Sequence, residues 1–441
     1  MTSTPATLRV PRILFGASAR ARLGEVVAEL GAARPLVVTD EFHAGNGVAA
    51  GLVATLAAAG AEVAVFAGSV PDPTVGSVDA AVEAAHAHRA DAIVGLGGGS
   101  PLDTAKAAAL LAVRGGRMRD YRAPAVTAGP ALPIVAVPTT AGSGSEATQF
   151  TIITDDAGAD AEKMLCPGPA FLPAVAVVDP ELTASMPPRL TADTGIDALT
   201  HAVEAYVSRR ATPLSDGFAL RAIGLVGGSL ERAYRDGSDA AARSDMMLAS
   251  LLAGIAFSNS SVALVHGMSR PIGAHFGIAH GLSNALLFAE VTRFSLPGAE
   301  SRYADCARAL GVTEAASDAR AALDLVAALE RLCAAIAVPP AATLVDPAAF
   351  GAAIPVMAEQ ALASCSPANN PSSPRTPRSA RCMRGSCAPV SCTRVRPPRT
   401  SCNSRARNEP GRRCRDPVDS LPAVAVARRE TGARATNGCA T

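Results

Sequence analysis

Short apolar stretches alternate with alanine-rich stretches through about the first 180 residues, and this alternation limits the possible folds more than any other feature. The apolar stretches, which are candidate strands, lie at residues 35–39, 62–66, 92–96, 133–137 and 174–178. The stretches between them, such as residues 48–59 and 78–88, are long enough for helices. Because parallel strands need crossover connections of this kind, the pattern predicts an α/β fold with a parallel sheet flanked by helices.

The pattern changes after Met186, where candidate strands stop and helical periodicity takes over. Helices are predicted at residues 191–208, 215–226, 243–257, 319–335 and 350–363. We therefore expect an α/β domain over residues 1–186, followed by an all-α domain over residues 187–370.

The composition changes again after Asn370. Residues 366–441 contain 15 Arg, no Lys and four acidic residues, although the whole chain has a net charge of only +1. Such a segment buries too little apolar surface to offset its ordering entropy, so residues 371–441 are predicted to be a disordered tail. Our hypothesis is that this tail is an out-of-frame translation. The alternative is a basic arm that binds nucleic acid.

Cysteine usage and hydropathy bear on the cellular compartment. Only three cysteines, Cys166, Cys306 and Cys333, precede residue 365, which is typical of a reducing compartment. The N-terminus lacks a charged start followed by an apolar core, and no run of 18 apolar residues is present. We expect a cytoplasmic protein without a membrane span.

A glycine-rich turn follows the third candidate strand. Gly97, Gly98 and Gly99 allow close approach of a ligand to the backbone, and Ser100 with Asp103 has the pattern of a capping box. A helix N-terminus after such a turn favours a pyrophosphate. The alternative is a well-capped helix after a tight turn.

The turn lacks the usual Gly-x-Gly-x-x-Gly fingerprint of dinucleotide-binding sites, and no acidic residue lies about 20 residues downstream at a strand end. If the turn binds a dinucleotide, the acid that binds its ribose must therefore lie elsewhere. Asp40 closes the first candidate strand, where its carboxylate would bind ribose hydroxyls and repel a 2′-phosphate, favouring NAD over NADP. It is equally suited to be a turn residue. A second loop, residues 138–146, leaves the strand at 133–137 and is placed to line the same crevice.

Acidic and imidazole side chains point to a metal site in the helical part. Asp197 and His201 are four residues apart on one helix face and can chelate a single ion, although a surface pair has the same spacing. Three of the seven histidines, His266, His275 and His280, fall within 15 residues. Pro271, Gly273, Gly277 and Gly281 provide breaks that fold His280 back toward His266. One carboxylate and three imidazoles suit Fe²⁺ or Zn²⁺; His275 is expected to pack or to line a substrate pocket.

Over about residues 8–370 the sequence resembles the iron-containing (group III) alcohol dehydrogenase family. The resemblance rests on residues 97–106, 138–146, 195–206 and 266–284, in that order. It implies a dehydroquinate synthase-like architecture, with an N-terminal dinucleotide-binding α/β domain, a helical domain and an active site in the cleft between them. It also implies a homodimer or larger homo-oligomer.

The resemblance implies a metal-dependent, NAD-linked alcohol dehydrogenase that interconverts a small alcohol and its aldehyde or ketone. The implied metal ligands are Asp197, His201, His266 and His280. The implied cofactor contacts are Asp40, Gly98, Gly99, Ser100, Asp103, Thr139, Thr140, Ser143 and Lys163.

Arg270 departs from the family pattern. Many members carry a histidine at this position, four residues after the third metal ligand, and we therefore assign no catalytic side chain beyond the metal site. A fixed positive charge there would favour substrates that bear a carboxylate, as in the maleylacetate reductase branch, or it would pair with a nearby acid. Retention of Asp197 and all three histidines argues against that metal-free branch.

Overall fold

The computed structural model describes residues 6–156, 162–364 and 366–373. Its strands are β1 (Arg12–Phe15), β2 (Pro35–Val38), β3 (Ala64–Phe66), β4 (Ala92–Gly97), β5 (Ile134–Pro138), β6 (Phe150–Asp155), β7 (Glu162–Pro167) and β8 (Val175–Val178). Six of them form one parallel sheet in the order β1-β8-β5-β4-β2-β3. The other two, β6 and β7, form an antiparallel hairpin.

Helices cover both faces of the parallel sheet. They are α1 (Leu23–Glu29), α2 (Glu41–Gly45), α3 (Val48–Ala58), α4 (Val75–His88) and α5 (Gly99–Arg114). Val37 packs in a cluster with residues of α1 and α3, whereas its neighbours Leu36 and Val38 pack with residues of α4 and α5. Strands buried on both faces read as continuous apolar runs, and the predicted parallel α/β architecture is confirmed.

The rest of the described chain is helical. Its helices are α6 (Pro188–Val207), α7 (Pro213–Arg235), α8 (Ala240–Asn259), α9 (Leu264–Phe276), α10 (His280–Ser295), α11 (Glu300–Ala309), α12 (Asp318–Ala335), α13 (Ala341–Leu344) and α14 (Pro347–Ala363). The prediction of an all-helical second part is confirmed. All described residues fall within one compact unit, so a domain boundary at Met186 stays a prediction.

Helix α8 is the one described helix long and apolar enough to cross a membrane. However, 67% of its most apolar window is buried inside the protein, as in the core helix of many folded enzymes. The helix therefore gives only weak support for a membrane span.

Strand β1 and the hairpin of β6 and β7 were not predicted from the sequence. Strand β1 lies at the sheet edge and pairs only with β8 among the described strands; with four residues, mostly exposed, it has no clear apolar run. Hairpin strand β6 alternates partly buried and buried residues, but it follows a loop that we read as cofactor lining. Residues 371–373 apart, the predicted disordered tail lies outside the described residues.

The last described residues pack on the helical part near α9. The carbonyl of Asn369 accepts a hydrogen bond from the Arg209 amide at 2.8 Å, and its side chain donates to Ser261 Oγ at 2.8 Å. Pro367 lies against Gly267, where an added Cβ would be only 2.5 Å from Pro367 Cγ. This segment thus covers the helix that carries His266.

Candidate metal centre and cofactor crevice

Four predicted ligands from three helices meet at one point. Asp197 and His201 lie on α6, His266 on α9, and His280 at the first position of α10. One donor atom from each lies within 4.8 Å of the others. Asp197 Oδ1 is 3.7, 3.5 and 3.6 Å from the Nε2 atoms of His201, His266 and His280.

These distances fit one bound cation. Ligand bonds of about 2.0–2.2 Å in a tetrahedral site place neighbouring donor atoms about 3.4 Å apart. One carboxylate and three imidazoles are a donor set that first-row divalent metals accept. Asp197, His201 and His266 are buried, whereas the His280 side chain is 39% exposed, which leaves an approach to the cluster from that side.

The chain reversal between α9 and α10 brings His280 back to His266. Helix α9 ends at Phe276 and is capped by Gly277, whose φ of 65° is a left-handed conformation that glycine adopts without strain. Pro271 lies inside α9 and does not end it, so the expected break there is wrong. Gly281 then allows α10 to pack directly on α6, because an added Cβ would lie 2.1 Å from the carbonyl oxygen of Asp193.

Neighbouring groups orient two of the imidazoles. His201 Nδ1 lies 3.2 Å from the carbonyl oxygen of Gly142, and His266 Nδ1 lies 2.7 Å from Glu204 Oε2. Each Nδ1 proton is thereby directed away from the cluster, which leaves the Nε2 lone pair for a metal. Glu204 Oε1 also accepts the Val265 amide at 2.6 Å, tying α6 to the start of α9.

Glu204 and Asn284 are residues to which the sequence analysis assigned no role. Asn284 is buried, and its side-chain amide donates to Asp197 Oδ1 at 2.8 Å. Glu204 follows Asp197 by seven residues, so helical spacing placed it on the same face of α6. That spacing was a signal in the sequence, but nothing local identified His266 as its partner.

Burial and charge set the protonation of the cluster. Burial by itself raises the pKa of Asp197, but the charges of His201 and His280 outweigh it and bring that pKa well below its ordinary value. Burial lowers the pKa of His201 to about 3 and that of His280 to about 4. Hydrogen bonds to Asp197 and Glu204 overcome burial at His266 and raise its pKa. His201 and His280 are thus neutral beside an ionised Asp197. Because metal ligands must be deprotonated, a cation binding here would displace the proton that the raised pKa favours on His266.

The predicted phosphate residues meet at the carboxyl ends of β4 and β5. The Thr139 amide donates to the Gly97 carbonyl at 3.0 Å. A Cβ added to Gly98 would lie 3.3 Å from Thr140, and one added to Gly99 would lie 3.2 Å from the Ser143 side chain. Glycine thus lets the two loops approach each other closely. Thr139 Oγ1 is buried without a hydrogen-bond partner among the described residues, so it is a polar atom able to take a ligand.

Asp40 stands near the glycine turn, after the end of β2. It is the N-cap of α2, and its Oδ1 accepts the His43 amide at 2.9 Å and pairs with His43 Nδ1 at 2.7 Å. Its Oδ2 would lie 3.5 Å from a Cβ added to Gly97. Oδ1 thus has the structural role of a strand-end turn residue. Contact of Oδ2 with a ribose stays a prediction.

The expected capping box at Ser100 and Asp103 is wrong. Helix α5 begins at Gly99, with Gly98 as its N-cap and no side-chain cap. The Asp103 carboxylate instead accepts Ser145 Oγ at 2.6 Å and the Ile152 amide at 3.0 Å, because hairpin strand β6 packs against α5. Its predicted contact with the cofactor remains untested.

Two basic residues, Lys163 and Arg270, act electrostatically on His280 at the margin of the cluster. Lys163 Nζ is 2.7 Å from Asp72, and Lys163 and Arg270 both contribute, after burial, to the low pKa of His280. Arg270 Nη1 donates to Ser366 Oγ at 3.1 Å. His275 is exposed, lies outside the cluster and contacts Gln360 at 3.0 Å, and its expected role in packing or in a substrate pocket stays a prediction.

Comparison with known proteins agrees with this geometry. Residues 11–180 match the profile described as "Iron-containing alcohol dehydrogenase", and residues 191–378 match "Fe-containing alcohol dehydrogenase family, C-terminal". The chain belongs to the iron-containing alcohol dehydrogenase family. Members of this family are oxidoreductases that act on a CH–OH group, and the same class applies here.

Individual members of the iron-containing alcohol dehydrogenase family show how far the likeness extends. The NAD-dependent methanol dehydrogenase of Bacillus methanolicus is 39% identical over 73% of this chain and 84% of its own length. The lactaldehyde reductase of Escherichia coli is 36% identical over 81% of this chain and 93% of its own. The crystal structure of a 1,3-propanediol oxidoreductase superposes with a TM-score of 0.83 at 35% identity, covering 87% of this chain and all of that one.

Proposed function

We propose that this protein is an NAD-linked alcohol dehydrogenase whose metal, Fe²⁺ or Zn²⁺, is held by Asp197, His201, His266 and His280. The observation that carries the proposal is the ring of donor atoms, in which Asp197 Oδ1 lies 3.5–3.7 Å from three imidazole nitrogens. A bound divalent cation supplies Lewis acidity toward an alcohol oxygen, and a bound nicotinamide accepts or donates the hydride.

The chain's own residues bring the two halves of this chemistry together. The loop after β5 lines the proposed phosphate site through Thr139, Thr140 and Ser143, and the same loop contacts His201 through the carbonyl of Gly142. Residues of the cofactor crevice and of the metal cluster are thus joined by one hydrogen bond. Substrate would approach on the exposed side of His280.

The proposed cofactor is NAD. Backbone groups of Gly98, Gly99 and Ser100 at the start of α5 would bind its pyrophosphate, because glycines and a helix N-terminus favour an anion. Asp40 would bind the adenosine ribose and disfavour NADP. Thr139, Thr140, Ser143, Asp103 and Lys163 complete the proposed contacts. In this assignment residues 1–186 bind the dinucleotide and residues 187–370 carry the metal ligands.

The proposed substrate is a small alcohol or its aldehyde or ketone. A carboxylate-bearing substrate is the second candidate, because Arg270 lies one turn after His266 on α9 and acts electrostatically on His280. An absorbance screen of NAD reduction across small alcohols and hydroxy acids separates the two classes. Faster turnover of hydroxy acids than of matched neutral alcohols would favour the second.

We also propose a cytoplasmic homodimer or larger homo-oligomer. Free Cys166, Cys306 and Cys333 support a reducing compartment. Light scattering of the purified protein measures the oligomer. The rival hypothesis, an inactive product whose basic tail binds nucleic acid, predicts salt-sensitive nucleic-acid binding without dehydrogenase activity.

Replacement of single ligands tests the metal site. Asp197→Ala and His280→Ala should each lose bound metal and NAD-dependent turnover, while His86→Ala, an exposed histidine on α4, should keep both. Metal content is measured after loading with Fe²⁺ or Zn²⁺ and removal of excess ion. Full turnover by a metal-free preparation would contradict the proposal.

A further inference from the structure

His43 is a buried imidazole that the proposed chemistry does not use. Its side chain is 10% exposed on α2, and its ring meets Phe42 edge-on at 5.1 Å. Its Nδ1 lies 2.7 Å from Asp40 Oδ1, within strong hydrogen-bonding distance.

The bond to His43 uses Asp40 Oδ1 and leaves Oδ2 without a hydrogen-bond partner among the described residues. Oδ1 receives two donors from one residue, the amide of His43 at 2.9 Å and its Nδ1. Oδ2 points to the Gly97 side of the crevice, where it lies 3.5 Å from the position of an added Cβ. A carboxylate held by its cap alone can rotate about its last bond, whereas a second donor on the same oxygen resists that rotation.

The position of Gly97 makes this direction relevant to a ligand. Gly97 has a φ of 143°, and an added side chain there would meet Pro101 at 2.6 Å as well as Asp40. The backbone between β4 and α5 is thus open toward Asp40 only because glycine occupies the turn. An oxygen fixed at this edge faces the place where a dinucleotide would pass from its pyrophosphate to its adenosine ribose.

We propose that His43 is a positioning residue that holds the Asp40 carboxylate for the adenosine ribose and so strengthens the preference for NAD over NADP. The inference rests on the proposed function, which assigns Asp40 to that ribose. His43 does not touch the dinucleotide in this arrangement. It lowers the cost of ordering Asp40, and a fixed negative charge repels a 2′-phosphate more effectively than a mobile one.

A matched pair of substitutions isolates the donor from the packing. Asparagine carries its amide nitrogen at the same branch point as Nδ1, and leucine places a methyl group there without a donor. His43→Leu should weaken NAD binding about three- to tenfold, the worth of one hydrogen bond, while NADP binding changes less. His43→Asn should restore most of the NAD affinity.

Binding of NAD and of NADP is measured by calorimetry on the metal-free protein, so that the result does not depend on turnover. Asp40→Asn is the reference variant, and it should reduce the NAD-to-NADP preference further than His43→Leu. If Asp40→Asn leaves the preference unchanged, the ribose assignment fails and the inference with it. If Asp40→Asn changes the preference and both His43 variants match the parent, only the positioning role is overturned. Equal losses in His43→Leu and His43→Asn would also overturn it, because packing would then be the cause.

Discussion

At the scale of single residues, the metal cluster depends on groups that do not belong to it. Glu204 Oε2 pairs with His266 Nδ1 at 2.7 Å, and Glu204 Oε1 accepts the Val265 amide at 2.6 Å. Both oxygens are therefore used as acceptors. Because the carboxylate holds the ring and its tautomer, it prepares Nε2 for a cation before the cation arrives.

Glu204→Gln should weaken metal binding about 10- to 100-fold. Glutamine has only one side-chain oxygen, so its NH₂ group must face either the Val265 amide or the Nδ1–H of His266. Both of these groups are donors, and one of the two hydrogen bonds is therefore lost. Competition with a chelator of known affinity measures the change. Glu290→Gln, at an exposed ion pair with Arg293 on α10, is the control and should bind metal as the parent does. Equal affinities in both variants would mean that Glu204 does not prepare the site.

Glu146 is a second residue whose environment makes a prediction. It is 1% exposed, and neither carboxylate oxygen has a hydrogen-bond partner among the described residues. Burial raises its pKa from the ordinary 4.5 to about 7. Because folding favours the protonated carboxyl, protonation of Glu146 contributes to the free energy of unfolding. This contribution is fully present below about pH 4.5 and is lost as the pH rises through about 7.

Glu146→Gln should remove that loss. The melting temperature of the variant relative to the parent should rise between about pH 5 and pH 8, by an amount that corresponds to at most about 3 kcal/mol. Histidines titrate in the same range, so the difference between the two proteins, measured by calorimetry at each pH, is the informative quantity. A difference that stays constant across this range would show that Glu146 does not titrate there.

At the scale of elements, close packing of α10 on α6 sets the position of His280. The contact is made by backbone rather than by side chains, since Gly281 meets the carbonyl of Asp193. Helix α6 carries Asp197 and His201, so the distance between the two helices also sets the distances between the proposed ligands. The predicted break at Gly277 reverses the chain between α9 and α10. The distance from His280 to the residues of α6 is set by the packing of the two helices.

Gly281→Ala should displace the start of α10 and weaken metal binding by at least about tenfold, because overpacking forces backbone shifts rather than side-chain adjustment. Gly217→Ala in α7 is the control, since an added Cβ there meets nothing within 4 Å. That variant should keep its metal affinity and be about 0.5–1 kcal/mol more stable through helix propensity. Chelator competition and thermal melting measure the two effects. Unchanged metal binding in Gly281→Ala would show that the contact between Gly281 and Asp193 does not set the position of His280.

At the scale of the whole molecule, the proposed cofactor and metal residues all lie before residue 281, while the cover over α9 comes from residues 366–373. Ser366 contacts Arg270, and Pro367 lies against Gly267. Asn370 is buried and donates to Ser295 Oγ at 3.0 Å. The segment just before residue 374 is thus part of the packed protein.

Two truncations test where the functional chain ends. A chain cut after Ser373 should keep the metal affinity and turnover of the full chain. A chain cut after Ser364 should melt at a lower temperature and bind metal more weakly, because it uncovers the helix that carries His266. Circular dichroism melting and metal titration measure both. Loss of metal binding in the chain cut after Ser373 would show that residues 374–441 are needed for the site.

The two chain regions proposed to bind metal and cofactor were predictable to different degrees. Asp197 and His201 were predictable because helical spacing alone puts them on one face. The glycine turn at 97–99 was predictable because its residues are adjacent. The Ser100–Asp103 capping box failed because a competing tertiary contact took the Asp103 carboxylate, and propensity cannot weigh that competition.

What the sequence by itself determined is local: the alternation of strands and helices, the glycine turn, and an acid and an imidazole one helical turn apart. These follow from periodicity and spacing, which act over a few residues. Only the tertiary structure decided that His280 returns to His266, that Glu204 holds His266, and that Asp40 bonds His43 while facing Gly97. Apart from the local bond to His43, those contacts join residues 14 to 62 positions apart, and packing alone brings such residues together.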